Sequence, residues 1–340
     1  MLNLTEEFVC RELSMAVVVE LVERAFAADA RGDAVTFPAI VDHVGSARAH
    51  FGIKSGYLRL PAPQAQGGDG GGTSTSRGMQ EVLGLKAGGY WMLNQERYGL
   101  PSHRATMLLI DPESGGPLAV VSANTITRMR TAAAGAIAAR HLARESSRTV
   151  TILGTGEQAH AQLEALRLVR PIGKVFVWGR TPAAMDRYIS AWREPGMAVA
   201  AATDLPKCVA QSDIIVTTTP ATSPLVMSAW VRPGTHVNAV GSDGAGKKEL
   251  DPQLVRRSKF VADKVSQSLT IGELQGVPPR DDGRDLMYAE LGEICAGSKP
   301  GREEDVEITI FDSSGVSFQD LVVANYLVNQ AKSKSGGLAV

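Results

Sequence analysis

The chain is poor in cysteine, with only Cys10, Cys208 and Cys295 in 340 residues. They are scattered, with neither metal-ligand spacing nor the even number of a disulfide framework. Three reduced, buried thiols in a cytosolic protein are expected, and no metal site. Long apolar runs are also missing. No stretch reaches the ~20 residues that cross a bilayer. The opening "MLNLTEEFVCREL" carries Glu6 and Glu7 where a secretory leader would be basic, then apolar. The expected location is cytoplasmic, with no membrane partner. Excess charge is absent too. A formal net charge of −1 gives no pull toward nucleic acid or an anionic surface. What the chain does have is 44% hydrophobic residues, enough for a sizeable core. Its length suggests one large domain or two ordinary ones.

Patterning then divides the chain. Phe8, Leu13, Val17, Leu21, Val22 and Phe26 recur at near-helical spacing, which predicts a helix over 5–31. From 35 to 60, "VTFPAIVDHV" and "HFGIKSGYLRL" read as strands. Residues 62–78, rich in Gly, Ser and Thr, read as a flexible excursion between strands. Strand character returns in "EVLGLKAGGYW". "ATMLLIDPESGGPLAVVS" reads as a hairpin turning at Asp111–Gly116. "TRMRTAAAGAIAARHLA" predicts a helix with Arg128 and Arg130 at its start. Strands and helices then alternate from "RTVTILGTG" to "VEITIFDSSG", which implies βαβ units and a parallel sheet. "DIIVTTTPATSPLV" reads as one strand of it. The expected class is α/β. A doubly wound Rossmann domain covers 131–312, and a mixed α+β domain is built from 1–130 and 313–340, with the closing helix rejoining the first part.

"TVTILGTGEQAHAQL" sets Gly154, Gly156 and Ala159 in the pattern G-x-G-x-x-A, after an apolar strand and before a helix. Gly154 permits the tight turn, Gly156 admits a pyrophosphate to the backbone, and Ala159 lets helix and strand pack closely. Helix-start N–H groups would meet the phosphate charge. The second strand ends "VFVWGRTP", without the acid that would bond the ribose 2′-hydroxyl of NAD. Arg180 there suits the 2′-phosphate of NADP, so NAD(P)H is expected with NADPH favoured. Thr218 and Thr219 end another strand and are further cofactor candidates.

Four stretches suggest chemistry: "GLKAGGYW" with Lys86, "GLPSHRAT" with Ser102 and His103, "TRMRTAA" with Arg128 and Arg130, and "NAVGSDGAGKKELD" with Asp243 in a glycine-rich loop. An amino or imino acid needs cations for its carboxylate and an acid/base group near its nitrogen. Arginine offers a planar fork, lysine a compact charge that titrates when buried, and a carboxylate can exchange protons with the nitrogen.

Taken together, "LGLKAGGY", "GLPSHRATMLLIDPESGGPLAVV", "RTAAAGAIAARHLA", "ILGTGEQA", "NAVGSDGAGKKELD" and "IFDSSGVSFQDL" resemble the ornithine cyclodeaminase/μ-crystallin family from about residue 80 to 325. The resemblance implies NAD(P)-dependent homodimers with a Rossmann domain and a split substrate and dimerisation domain. It makes Lys86 the substrate lysine, Arg130 the carboxylate-binding arginine, Ser102 a pocket hydroxyl and Asp243 the catalytic aspartate. Thr131, Glu157, Gln158, Lys247 and Ser313 fall where the family contacts the dinucleotide. The chain departs from the family's pattern on an N-terminal strand, where "VTFPAIVDHV" lacks a second arginine, and at Lys54, where many relatives carry methionine. No clear acid stands there to hold the terminal ammonium of ornithine.

An extra lysine suits a second carboxylate, and "FGIKSGYL" with "LGLKAGGYW" is similar to the iminosuccinate reductase branch. The leading expectation is an imino-acid reductase or amino-acid dehydrogenase. A cyclodeaminase forming proline and ammonia with bound NAD is the first alternative. A non-catalytic NADP-binding protein like μ-crystallin is the second.

Overall fold

The computed structural model describes residues 1–45, 49–61, 78–279 and 285–334. Residues 62–77 of the Gly/Ser-rich segment lie outside the described residues. The chain forms two compact units. One comprises Met1–Leu13, Arg24–Thr127 and Ser317–Val340, the other Ser14–Glu23 and Arg128–Val316.

The first half of the chain runs β1 (Leu2–Leu4), α1 (Glu6–Glu12), α2 (Met15–Ala30), β2 (Ala34–Thr36), β3 (Ile40–Val44), β4 (Ala49–Pro61), β5 (Met79–Trp91), α3 (Asn94–Tyr98), β6 (His103–Ile110) and β7 (Pro117–Ser122). The single helix expected over 5–31 is two. Leu13 turns extended, and the Ser14 hydroxyl accepts from the Val17 N–H to start α2. "VTFPAIVDHV" likewise splits into β2 and β3 around Pro38, which has no N–H to give a ladder. β1 escaped pattern reading because it is only three residues long, but it pairs in parallel with β7. The described strands form a seven-stranded sheet in the order β1-β7-β6-β5-β4-β2, with β3 on β4. β6 and β7 are the expected hairpin.

Next come α4 (Asn124–Leu142), β8 (Thr149–Leu153), α5 (Glu157–Val169), β9 (Lys174–Trp178), α6 (Pro182–Ala191), β10 (Ala198–Ala201), α7 (Leu205–Gln211), β11 (Ile214–Thr217), β12 (Thr222–Val226) and β13 (His236–Ala239). The chain continues with β14 (Lys248–Leu250), α8 (Pro252–Arg256), β15 (Lys259–Ala262), α9 (Val265–Ile271), β16 (Met287–Glu290), α10 (Leu291–Cys295) and β17 (Thr309–Asp312), then closes with α11 (Ser317–Lys334). α4 begins at Asn124, so Arg128 and Arg130 sit in its second turn and not at its start. "DIIVTTTPATSPLV" is also not one strand. β11 stops at Thr217, before Pro220, and β12 pairs with β14 in a separate small sheet.

In the second unit all ladders of the eight-stranded sheet are parallel, in the order β10-β9-β8-β11-β13-β17-β15-β16. The order reverses between β8 and β11. This is the doubly wound arrangement, and its ligands sit at that reversal, outside the carboxyl ends of the strands. One core layer gathers Val150, Ile152, Leu163, Val175 and Tyr188, the other Ile215, Val237, Leu254 and Phe260. Both faces of the sheet are thereby covered, which is why its strands read as continuous apolar runs.

In the first unit β6 and the second half of β4 alternate between buried and more exposed residues. Leu58, Leu60, Val82, Met107, Leu109 and Val121 are buried on one face, where α11 packs on β4 and β5. No described helix is long and apolar enough to cross a membrane. None of the three cysteines is disulfide-bonded, but the expectation that all are buried holds only for Cys208: Cys295 is half-buried and Cys10 exposed.

Candidate functional site

Lys86 lies on β5 with only 8% of its surface exposed. Its Nζ is 2.9 Å from each Asp320 oxygen and donates to Thr127 Oγ1 at 3.3 Å. Asp320, in the first turn of α11, is itself buried. A buried ammonium is held charged only by such a counter-ion. Asp320 therefore fixes both the charge and the direction of Lys86.

Strand register then brings the second lysine in. Lys54 on β4 is directly opposite Lys86, and Lys86 in turn faces Met107 on β6. Directly paired residues share a face and hold their Cβ atoms about 5 Å apart. Like charges so paired repel, and an anion lying between them offsets that repulsion by attracting both. Two residues along, the same face carries Gly52, Gly88 and Ala105 in one row, and two further His50, Tyr90 and His103 in another. The middle row projects nothing larger than a methyl, so the face has room beside the lysines. Ser102, just before β6, is half-buried, and its carbonyl accepts from the Trp91 N–H at 2.8 Å. A cavity of about 220 Å³ lined by Phe51, Trp91, Arg104, Thr106 and Ser122 opens on the opposite face of the sheet, away from the lysines.

In the second unit, Gly154 directly follows β8 with φ +122, a conformation that favours glycine. A Cβ there would overlap Thr218 Oγ1. Thr218 holds this approach by donating from its N and Oγ1 to the Leu153 carbonyl, at 2.9 and 3.1 Å. Gly156 is the N-cap of α5 and supplies no side-chain cap, so phosphate oxygens could accept from the first-turn N–H groups. Glu157 is exposed and Ala159 buried there. Gln158 is half-buried, with its Oε1 unpartnered. Arg180 follows β9, exposed, with no carboxylate in "WGRT". The tight turn, the uncapped helix start and the sheet reversal fit a dinucleotide.

Arg130 is buried in this unit, and a Cβ on Gly315 would crowd its guanidinium. The turn it touches is tied down by Asp263, which accepts from Ser313 Oγ at 3.4 Å, Ser314 Oγ at 2.9 Å and the Gly315 N–H at 2.5 Å. Thr131 and Ser313 are both buried. Asp243 is exposed, 2.5 Å from Lys247 Nζ. Thr219 gives both its N–H and its hydroxyl to Glu249 Oε1, at 2.7 and 2.6 Å.

Sequence reasoning passed over Asp320, Asp263, Glu249, Glu273 and Asp312. The first, third and last stand within "IFDSSGVSFQDL" and "GKKELD", but a carboxylate's partner 30 or 234 residues away leaves no local spacing. Among the described residues one group, Glu23, His141 and Cys295, gathers potential metal donors. Glu23 there is already bonded by Arg140 and by His141 Nε2 at 2.8 Å.

Comparison with known proteins places the whole chain in one family. The model of the ornithine cyclodeaminase/mu-crystallin family matches residues 2–335. The iminosuccinate reductase of Paracoccus denitrificans is 36% identical over 334 residues, 98% of each chain. Its crystal structure with NAD+ superposes with a TM-score of 0.83 at 35% identity, covering 99% of this chain and 98% of that one. An archaeal alanine dehydrogenase dimer with bound NAD has a TM-score of 0.85 at 35% identity, covering 98% and 97%. The Δ1-pyrroline-2-carboxylate reductase of Thermococcus litoralis, in complex with NADH and L-proline, has a TM-score of 0.85 at 32% identity, covering 99% and 98%. The chain belongs to the ornithine cyclodeaminase/mu-crystallin family.

Proposed function

We propose that this protein is an NAD(P)H-dependent reductase of 2-imino acids, and that its substrate class is dicarboxylic, as in iminosuccinate going to aspartate. The observation that carries the substrate class is the direct pairing of Lys54 with Lys86 on one sheet face. A second lysine on the face that carries Lys86 brings another cation to it, which suits a substrate with a second carboxylate. Similarity to the Paracoccus denitrificans iminosuccinate reductase supports the same class. The cyclodeaminase alternative is less favoured, because Lys54 repels the terminal ammonium of ornithine and the relatives above are reductases and a dehydrogenase.

The bound dinucleotide supplies a hydride. The residues do the rest. Arg130 grips the α-carboxylate with a planar fork, and Lys86 and Lys54 neutralise carboxylate charge. As C2 accepts the hydride, the C=N π electrons become a lone pair on nitrogen. Asp243 manages the proton that this nitrogen takes up. Gly154, Gly156, Ala159, Glu157, Gln158, Thr131, Thr219, Lys247 and Ser313 line the dinucleotide, and Ser102 the substrate.

The test is oxidation of NADH and NADPH with oxaloacetate or glyoxylate plus ammonia or methylamine, and with preformed cyclic imines. A charge-assisted hydrogen bond contributes about 1.5–3 kcal/mol. Lys54→Met should therefore lower kcat/KM for the dicarboxylate imine about 10- to 100-fold and for a monocarboxylate imine less than about threefold. Equal losses on the two would remove Lys54 from substrate recognition. By the same bond energy, Arg180→Ala should raise KM for NADPH about tenfold and leave NADH within about twofold. An equal change on both cofactors would rule out a 2′-phosphate contact.

The protein works as a homodimer in this reading. The sheet face opposite the lysines carries Ile53, Leu83, Leu85 and Leu108 only half-buried, with Phe51 37% and Ile40 64% exposed. Apolar area of that kind marks a protein interface, and the archaeal relative is a dimer. Sedimentation of the purified chain as a monomer at micromolar concentration would count against it.

A further inference from the structure

The C-terminal ends of three consecutive strands, β11, β13 and β17, are tied together from beneath by buried carboxylates. Glu249, fully buried on β14, accepts the Thr219 N–H and hydroxyl on Oε1 and the Gly241 N–H on Oε2, the last at 2.8 Å. Thr219 follows β11 and Gly241 follows β13. The approach is so close that a Cβ on Gly241 would overlap both the Thr219 backbone and Glu249 Oε2. Glu273 in turn accepts the N–H groups of Glu249 and Leu250, at 2.8 and 3.1 Å. The Glu273 N–H is given to Asp312 Oδ2 at 3.0 Å, and Asp312 is the last residue of β17, immediately before Ser313.

We propose that Glu249 is a positioning residue for the dinucleotide. It acts through Thr219 and Gly241 to hold the strand-end loops in their binding shape. This rests on the dinucleotide-dependent activity proposed above. Its physical basis is the donor count. Three donors converge on Glu249, and only a group that accepts on both oxygens satisfies them. Glutamine at this position would turn an NH₂ toward one of those donors, leaving a buried N–H without an acceptor. The affected loop is next to the phosphate turn, because Thr218, the neighbour of Thr219, is the residue against which Gly154 fits without a Cβ. A shift at Thr219 is therefore felt at the glycine turn.

The experiment is a double-mutant cycle read as dinucleotide affinity. NADH and NADPH binding is titrated by fluorescence for the wild type, Glu249→Gln, Thr219→Val and the double variant, with melting curves beside each. Glu249→Gln should stay folded and weaken binding of the preferred dinucleotide about 10- to 100-fold, the equivalent of one or two charge-assisted bonds. KM for the imine should change far less. Thr219→Val, which keeps the N–H and loses the hydroxyl, should weaken binding by a smaller factor. The double variant should be no worse than Glu249→Gln, because the two residues act as one contact. Unchanged affinity in folded Glu249→Gln, or a double variant whose loss is the product of the single losses, overturns the positioning role. If Glu249→Gln does not fold, affinity unchanged in Thr219→Val overturns it instead. A wild type that binds neither NADH nor NADPH overturns the dinucleotide reading itself, and this inference with it.

Discussion

Lys86→Met is expected to lower kcat/KM for any 2-imino acid by about 10²- to 10³-fold, the usual result of removing one placed charge or donor from a reacting centre. It should also cost about 3–5 kcal/mol of folding stability, because Asp320 is left buried without its counter-ion. The two effects separate in Lys86→Met combined with Asp320→Asn. Neutralising the carboxylate removes the uncompensated charge, which is the source of that cost. The double variant should therefore recover most of the melting temperature and none of the turnover. Steady-state kinetics and chemical denaturation on the same preparations decide it. A double variant that regains both stability and activity would make Lys86 a structural partner of Asp320 and nothing more.

The second large effect concerns pH. Burial pushes the Glu273 carboxyl up to about 7 from an ordinary 4.5, with the nearby Glu249 charge adding to the rise. Glu249 is raised by burial as well, and Asp312 is held well above the usual carboxylate range. Unfolded Glu273 loses its proton near 4.5, whereas the folded protein keeps it until about pH 7. Between those values the folded state binds more protons, so this group's contribution to stability falls as pH rises and levels off above about 7. At about 1.4 kcal/mol per unit the full difference is about 3 kcal/mol. Glu273→Gln cannot titrate. Its stability relative to the wild type should therefore rise by about 2–3 kcal/mol from pH 4.5 to pH 8, whatever the fixed cost of turning an amide toward the Glu249 and Leu250 N–H groups. Urea denaturation of both proteins across that range measures it. A flat difference would mean that the wild-type carboxyl is ionised throughout and that its backbone donors outweigh burial.

These residues also mark how far the sequence can be read unaided. The phosphate turn is legible because its chemistry needs neighbours in sequence: Gly154, Gly156 and Ala159 lie within six positions on a strand–turn–helix. The doubly wound class is legible for the same local reason, strands and helices alternating at short intervals. Lys86 stands out as part of a compact motif, but its partner is 234 residues on. The pairing of Lys54 with Lys86 depends on a strand register that neither segment encodes alone. Glu249, Glu273 and Asp312 look like ordinary surface acids until the fold buries them. Leu13 and Ser14 break a helix without a proline or glycine to announce it. Arg130 is one turn deeper in its helix than its local pattern suggests, because Asn124 starts α4 earlier.

Asp320 belongs to the last helix, while Lys86 is made in the first third of the chain. During synthesis at about 5–20 residues per second, the 234 positions between them take on the order of ten to fifty seconds to emerge. Through that interval the seven-stranded sheet has all its strands but not α11, the helix that covers β4 and β5 and brings the counter-ion for Lys86. The parallel-sheet unit, by contrast, has its residues in hand by Val316. Every residue of the parallel-sheet unit is therefore synthesised before Lys86 in the other unit has its counter-ion. A released chain ending at Val316 should hold the cofactor and leave the lysine face uncovered.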